Sequence, residues 1–191
     1  KAPYGAGRDL SMIIKEAVEF AKRAHEGMVR KGTAVPYIVH PLETAVIVAL
    51  ITDDEEMIAA ALLHDVVEDT PVTGEEVREQ FGERIASLVL AESEDKSKSW
   101  WERKQEKITH LNTASRDVKI LALADKLSNL RSTARDYLLL GEEIWNRFNE
   151  KKKSSHAWYY WGMAKGLEEL SQYPAYEEYV GLCRKVFGEY K

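Results

Sequence analysis

Cysteine is all but absent. Cys183 is the single one in 191 residues, which excludes an internal disulfide framework and a cysteine-built zinc finger. That usage fits a reducing interior, and a cytoplasmic setting is expected. Long hydrophobic runs are missing too. The longest, Thr44 to Ile51, is under half of the roughly 20 apolar residues that a spanning helix needs, so no membrane partner is expected. No basic start followed by an apolar core opens the chain, which begins on Lys1, and no secretory leader is read there. Positive charge is also in short supply. A formal net charge of -5 argues against a nucleic-acid partner, although a basic pocket inside an acidic protein can still receive a small anion. Repeats, low-complexity tracts and Gly/Ser linkers are lacking, so residues 1–191 are expected to form one domain.

What is present is helical periodicity. Leu10, Ile13, Ile14, Ala17, Val18, Phe20, Ala21 and Ala24 share one face of a first helix. Pro36 and Pro41 bracket a short bend, and Pro41 is placed to open a second helix from Leu42 to about Leu50. Asp53 and Glu56 have capping-box spacing before a third helix through Met57, Ala60, Leu63 and His64. Thr73 and Glu76 repeat the device, with Gly82 at the expected stop. Further helical patterns cover Ile85 to Leu90, Trp101 to Leu111, Val118 to Leu130, Trp158 to Leu170 and Glu177 to Phe187. The β-flavoured Val46-Ile47-Val48 lies in helical phase between alanine and leucine and stays in a helix. The class is all-α.

One segment is dense in chemistry. His64-Asp65-Val66-Val67-Glu68-Asp69 follows the apolar Ala59 to Leu63, and burying such polar groups without partners costs several kcal/mol. On a helix Glu68 lies over His64 and Asp69 over Asp65. A carboxylate-rich exposed helix end is the plain alternative for the doublet alone. His40, held in the Pro36-Tyr37-Ile38-Val39-His40-Pro41 bend, and Asp125, set in the apolar Leu121 to Leu127 stretch, shift the balance toward a metal. Two histidines and two aspartates make a nitrogen/oxygen set suited to Mn, Fe, Co or Zn rather than Ca. Such an ion polarises a phosphoryl oxygen and lowers the pKa of water.

His40, His64-Asp65 and Asp125 stand in the order of the HD-domain metal phosphohydrolases. Ala24-His25-Glu26-Gly27, Arg30-Lys31, the Pro36 to Pro41 word, His64 to Thr70 and Ala124 to Arg131 resemble the hydrolase domain of the RelA/SpoT alarmone enzymes. Glu94-Asp95-Lys96, Glu102-Arg103-Lys104, Trp145, Trp158 to Trp161 and Gly166-Leu167 are similar to the stand-alone small alarmone hydrolases, the animal type included. The resemblance spans roughly residues 10 to 188. It implies a single-domain HD-type bundle of roughly 8–10 helices.

The same resemblance implies an activity: Mn2+-dependent removal of the 3′-pyrophosphate from (p)ppGpp, giving GDP or GTP and pyrophosphate. His40, His64, Asp65 and Asp125 match the ligands of one ion. Glu68 and Asp69 match the catalytic acidic pair that orients or deprotonates water. Arg30, Lys31, Lys96, Arg103, Asn129, Arg131 and Ser132 match substrate contacts, with Ser132 where the family often has Thr. Arg131 falls on a different helical face from Asp125, so its role asks the helix to end or bend nearby. Met28-Val29 stands where the family often has Gln, and the Arg30 to His40 loop is one residue longer. Both changes adjoin the expected base wall and leave purine choice open. Adenine alarmones (ppApp class), NADPH or another nucleotide phosphoester are alternative substrates for the same metal site, and non-catalytic nucleotide sensing is the alternative to turnover. Lys151-Lys152-Lys153 reads as a solvated face. The late aromatics read as core more readily than as a base-stacking cage. Trp100 and Trp101 cannot share a helical face, so one is expected at the surface, at a homodimer contact or a substrate rim.

Overall fold

In the computed structural model of the chain, residues 10–190 are described. The N-terminal stretch in which no secretory signal is read and the side chain of Leu10 on the first apolar face lie outside the described residues. The chain divides into two compact units, Lys1–Ser93 and Glu94–Lys191. The first carries α1 (Leu10–Ala24), α2 (Val39–Ala49), α3 (Glu55–Leu63), α4 (Val66–Asp69), α5 (Gly74–Phe81) and α6 (Glu83–Glu92). The second carries α7 (Trp100–Leu111), α8 (Arg116–Leu140), α9 (Lys153–Gly166) and α10 (Pro174–Phe187), with 3-10 turns at Gly141–Arg147 and Glu168–Leu170. Among the described residues there is no strand, only an isolated bridge between Val29 and Pro36. The all-α expectation holds. Nor is any described helix long and apolar enough to cross a membrane.

In the first unit α3 is the hub. Met57 and Ala59 to Leu63 are all buried, and a helix apolar on every side belongs in the interior. It packs against α1, α2 and α6. Its N-cap differs from expectation by one residue. Asp54, not Asp53, accepts from the Glu56 and Met57 amides at 3.0 and 3.3 Å. Arg84 grips the same carboxylate at 2.7 Å, so a distant arginine selects between two adjacent aspartates. The Thr73–Glu76 capping box forms as expected, and Gly82 stops α5 at φ 94, where a side chain would be strained. The second helix starts earlier than expected, at Val39, because proline is tolerated throughout a first turn whose amides lack intrahelical partners.

In the second unit α10 packs against both the long α8 and α9, and α7 packs against α9. Gly162 permits the α7–α9 approach, since a Cβ there would sit 2.6 Å from Ile108 Cδ1. Two of the late aromatics are core: Trp145 and Tyr159 are buried, and Trp145 stacks on His156 with ring centroids 5.1 Å apart, whereas Trp158, Tyr160 and Trp161 are half-buried. Trp101 is 48% exposed. Lys151 and Lys152 are solvated, whereas Lys153 binds Glu142 and the Tyr137 hydroxyl at 2.8 Å each.

His156 gives the protein an acid-sensitive joint. Burial pushes its pKa below the ordinary 6.5, against the opposing pull of the Glu150 carbonyl. The neutral ring donates Nε2–H to that carbonyl at 2.7 Å. Above about pH 6.5 both folded and unfolded chains carry a neutral ring, so this group adds no pH slope. As pH falls through 6.5 the unfolded chain binds the proton first, and the fold loses stability until the depressed folded pKa is passed. Thermal unfolding at pH 7.5, 6.5 and 5.5 is expected to show a falling midpoint, with a shallower fall in His156→Phe. An identical slope in both proteins would remove His156 from the account.

Candidate functional site

The fold of the first unit brings three sequence-distant side chains together. His40 sits in the first turn of α2, His64 caps the C-terminus of α3, and Asp65 precedes α4. His40 Nε2 lies 3.2 Å from His64 Nε2. Asp65 Oδ2 lies 3.4 Å from the first and 3.1 Å from the second. His64 Nδ1 is 2.7 Å from the Ala61 carbonyl, so the proton belongs on Nδ1 and the Nε2 lone pair faces the cluster. One proton on His40 Nε2 could satisfy only one neighbour. A single cation satisfies all three. Neighbouring ligands about 2.1 Å from an ion stand roughly 3 Å apart, so the spacing fits a transition-metal ion held by two imidazoles and a carboxylate.

Electrostatics agree with that reading. Burial by itself pushes the Asp65 carboxyl up, but positive charge and N–H donation at His64 and His40 hold it well below the usual carboxylate range, a pull that a bound cation would supply in place of those protons. It remains an anionic ligand. His40 and His64 are almost fully buried, which shields the cluster from competing water.

The helix expected to run through His64 does not. α3 ends at Leu63, His64 and Asp65 form a turn, and α4 begins at Val66. The His64 ring reaching back to Ala61 occupies the carbonyl at the helix end. A continuous helix therefore does not stack Glu68 over His64. Asp69 does remain one turn above Asp65, because its amide donates to the Asp65 carbonyl at 2.9 Å. Glu68 shares that short helix and is half-buried.

Tyr37 and His25 were not foreseen as site residues. The Tyr37 hydroxyl donates toward Asp65 Oδ2 at 2.5 Å and Asp69 Oδ2 at 3.2 Å. Burial, with both carboxylates adding to it, pushes its pKa far above 10, so the phenol is a permanent donor. His25 packs on that ring at 4.8 Å between centroids, and Arg30 lies 5.6 Å from its centre. His25 is 3% exposed, and burial lowers its pKa. Neither ring nitrogen has a hydrogen-bond partner among the described residues. The available signal was position: both residues stand inside the motif words quoted above. Met28 and Val29, where the sequence departs from the family pattern, join them in lining a cleft of about 390 Å3. Lys31 is exposed beside Arg30.

The remaining expected residues lie in the second unit. Asp125 is 4% exposed, accepts from Asn129 Nδ2 at 3.0 Å and pairs with Lys126 at 2.8 Å. Arg103 and Lys104 both grip Glu94, at 2.9 and 2.7 Å. Lys96 is exposed and Ser132 half-buried. α8 continues through Arg131 to Leu140, so the helix end that Arg131 was expected to need is not there. The guanidinium instead makes a two-point contact with Glu178, at 2.6 and 2.8 Å.

A family model described as HD domain matches residues 17–152. The guanosine-3′,5′-bis(diphosphate) 3′-pyrophosphohydrolase MESH1 of Homo sapiens is 42% identical over 133 residues, covering 68% of this chain and 73% of that protein. Its Danio rerio counterpart is 40% identical over 126 residues, covering 64% and 70%. The guanosine-3′,5′-bis(diphosphate) 3′-pyrophosphohydrolase of Aquifex aeolicus is 40% identical over 122 residues. That match takes in 62% of this chain and only 17% of that longer protein. Among solved structures, a metazoan ortholog of SpoT that hydrolyzes ppGpp aligns with a TM-score of 0.77 at 26% identity, covering 98% of this chain and 100% of that one. A Listeria monocytogenes protein aligns at TM-score 0.72 and 35% identity, covering 82% and 99%.

Proposed function

This chain belongs to the HD domain family, and from that premise we propose that it is a metal-dependent hydrolase removing the 3′-pyrophosphate of (p)ppGpp. The observation that carries the reading is the His40, His64 and Asp65 cup, three donor atoms within 3.4 Å of one another. The names of the MESH1 relatives and of the SpoT ortholog support the substrate. The family match runs across Ser93 and Glu94, which supports treating residues 1–191 as one phosphohydrolase domain.

His40, His64 and Asp65 would hold the ion, proposed to be Mn2+, and Asp125 is proposed as the fourth ligand on motif order alone. When bound, the ion supplies Lewis-acid polarisation of a phosphoryl oxygen and lowers the pKa of water. Water oxygen bonds to the phosphorus carried on the ribose 3′ oxygen, and that P–O bond breaks. The ribose oxygen leaves with a proton, so ppGpp and water become GDP and pyrophosphate. Glu68 and Asp69 accept and hand on the water's proton, a role that needs a carboxylate near the attacking oxygen. Arg30, Lys31, Lys96, Arg103, Asn129, Arg131 and Ser132 are the proposed substrate contacts. Arg103 and Arg131 can serve phosphate while still paired, because a guanidinium has five donors. Asn129 has the further task of orienting Asp125. The proposal includes a cytoplasmic setting, no nucleic-acid partner and no membrane partner, and a homodimer, with the exposed Trp101 at a subunit contact or a substrate rim.

The test is incubation of ppGpp with the protein and Mn2+, followed by separation of the nucleotides. GDP with equimolar pyrophosphate is expected. Intact ppGpp alongside stoichiometric Mn2+ binding would overturn the substrate, and parallel reactions with an adenine alarmone and NADPH would then identify the replacement. Binding of nucleotide without turnover of any of them would favour the sensing alternative.

A further inference from the structure

We propose that Tyr37 is a positioning residue that ties the ligand carboxylate of Asp65 to the acidic residue Asp69, so that metal binding and proton handling share one hydrogen bond. Two carboxylate oxygens converge on a single phenol oxygen, at 2.5 and 3.2 Å. Two like charges so placed repel unless a donor stands between them. The single hydroxyl proton is that donor, shared between them with its shorter branch on Asp65, and it reaches the same Oδ2 that faces both histidines. Freed from it, the Asp65 carboxylate could rotate away from the cup. Hydrogen-bonded partners of ligating carboxylates commonly set affinity and activity in this way.

The phenol is itself held from several directions. The Tyr37 amide donates to the Met28 carbonyl at 2.8 Å, and the His40 amide donates to the Tyr37 carbonyl at 3.0 Å. The segment that places one histidine of the cup therefore places the tyrosine too. A second tie, Arg30 N–H to the Val35 carbonyl at 2.8 Å, closes the loop behind it. His25 covers one part of the ring and the Arg30 guanidinium another. A ring anchored on backbone and side chain gives its hydroxyl little freedom to leave the two carboxylates.

Tyr37→Phe removes only the oxygen and leaves the ring packing in place. Mn2+ affinity, measured by titration with the electron paramagnetic resonance of free Mn2+, is expected to fall about tenfold or more. With ppGpp, kcat is expected to fall by roughly 10- to 100-fold while KM stays within about twofold. A thermal unfolding curve matching the wild type shows that the fold is intact. Asp69→Asn and the double variant complete a cycle. If Tyr37 acts on turnover through Asp69, it lowers kcat far less once Asp69 is already asparagine, while the Mn2+ defect through Asp65 persists. Wild-type Mn2+ affinity in Tyr37→Phe, or kcat losses that simply multiply, would overturn the proposal. The kinetic arm rests on the hydrolase reading above, and the Mn2+ arm does not. A wild-type protein inert toward ppGpp that still binds Mn2+ more tightly than Tyr37→Phe would sink the substrate assignment and leave the tie in place.

Discussion

Changing His64→Ala and Asp65→Ala together is expected to abolish Mn2+ retention and to cut ppGpp hydrolysis by on the order of 10³-fold or more. Lewis-acid stabilisation of transition-state charge is worth several kcal/mol, and each 1.36 kcal/mol is about tenfold in rate. The double change removes two of the three donor atoms that meet within 3.4 Å. The donors left, His40 and the proposed ligand Asp125, are too few to retain an ion at ordinary concentrations. The substitutions lie at the end of α3 and the start of α4, so the α3 core is left untouched. Metal content after gel filtration, circular dichroism and a product assay are the three measurements. Full hydrolysis by a folded double variant would place the chemistry elsewhere in the chain.

The second large effect is on stability. Leu62→Ala is expected to lower the unfolding free energy by about 2–5 kcal/mol. Leu62 is among the large side chains fully buried in the first unit, on the helix that contacts α1, α2 and α6. Neighbours on three helices cannot all collapse into the space vacated, so the cost includes a cavity as well as lost burial. For a chain of this size each kcal/mol shifts the midpoint by about 2–4 °C, which predicts a drop of roughly 4–20 °C. Val46→Ala on the outer face of α2, where Val46 is 60% exposed, is the matched control. Its expected change is within about 0.5 kcal/mol. Equal midpoints for the two variants would remove α3 from its place as the hub.

These expectations differ in how much of them could be read without a structure. Apolar spacing along residues 10–24 is a local property, and α1 forms with the bounds that spacing indicated. The Thr73–Glu76 box and the Gly82 stop are equally local, each decided within a few residues by hydrogen bonds of short reach. The adjacent Asp53 and Asp54 show where local reasoning stops. Both can cap α3, and the choice falls to Asp54, which Arg84 also grips from 30 residues away.

Chemistry divides along the same line. Helical class, most helix positions and the residue types needed for a metal centre are legible in the chain alone, because those follow from short-range periodicity and from the cost of burying polar groups. Tertiary structure decided that His40 meets His64 across 24 residues and that one phenol joins Asp65 and Asp69 across 28 and 32. It also decided that Arg131 stays in a continuous helix paired with Glu178, 47 residues on. Such contacts depend on how helices pack against one another, and packing is set by the combined shape of many side chains rather than by any local pattern.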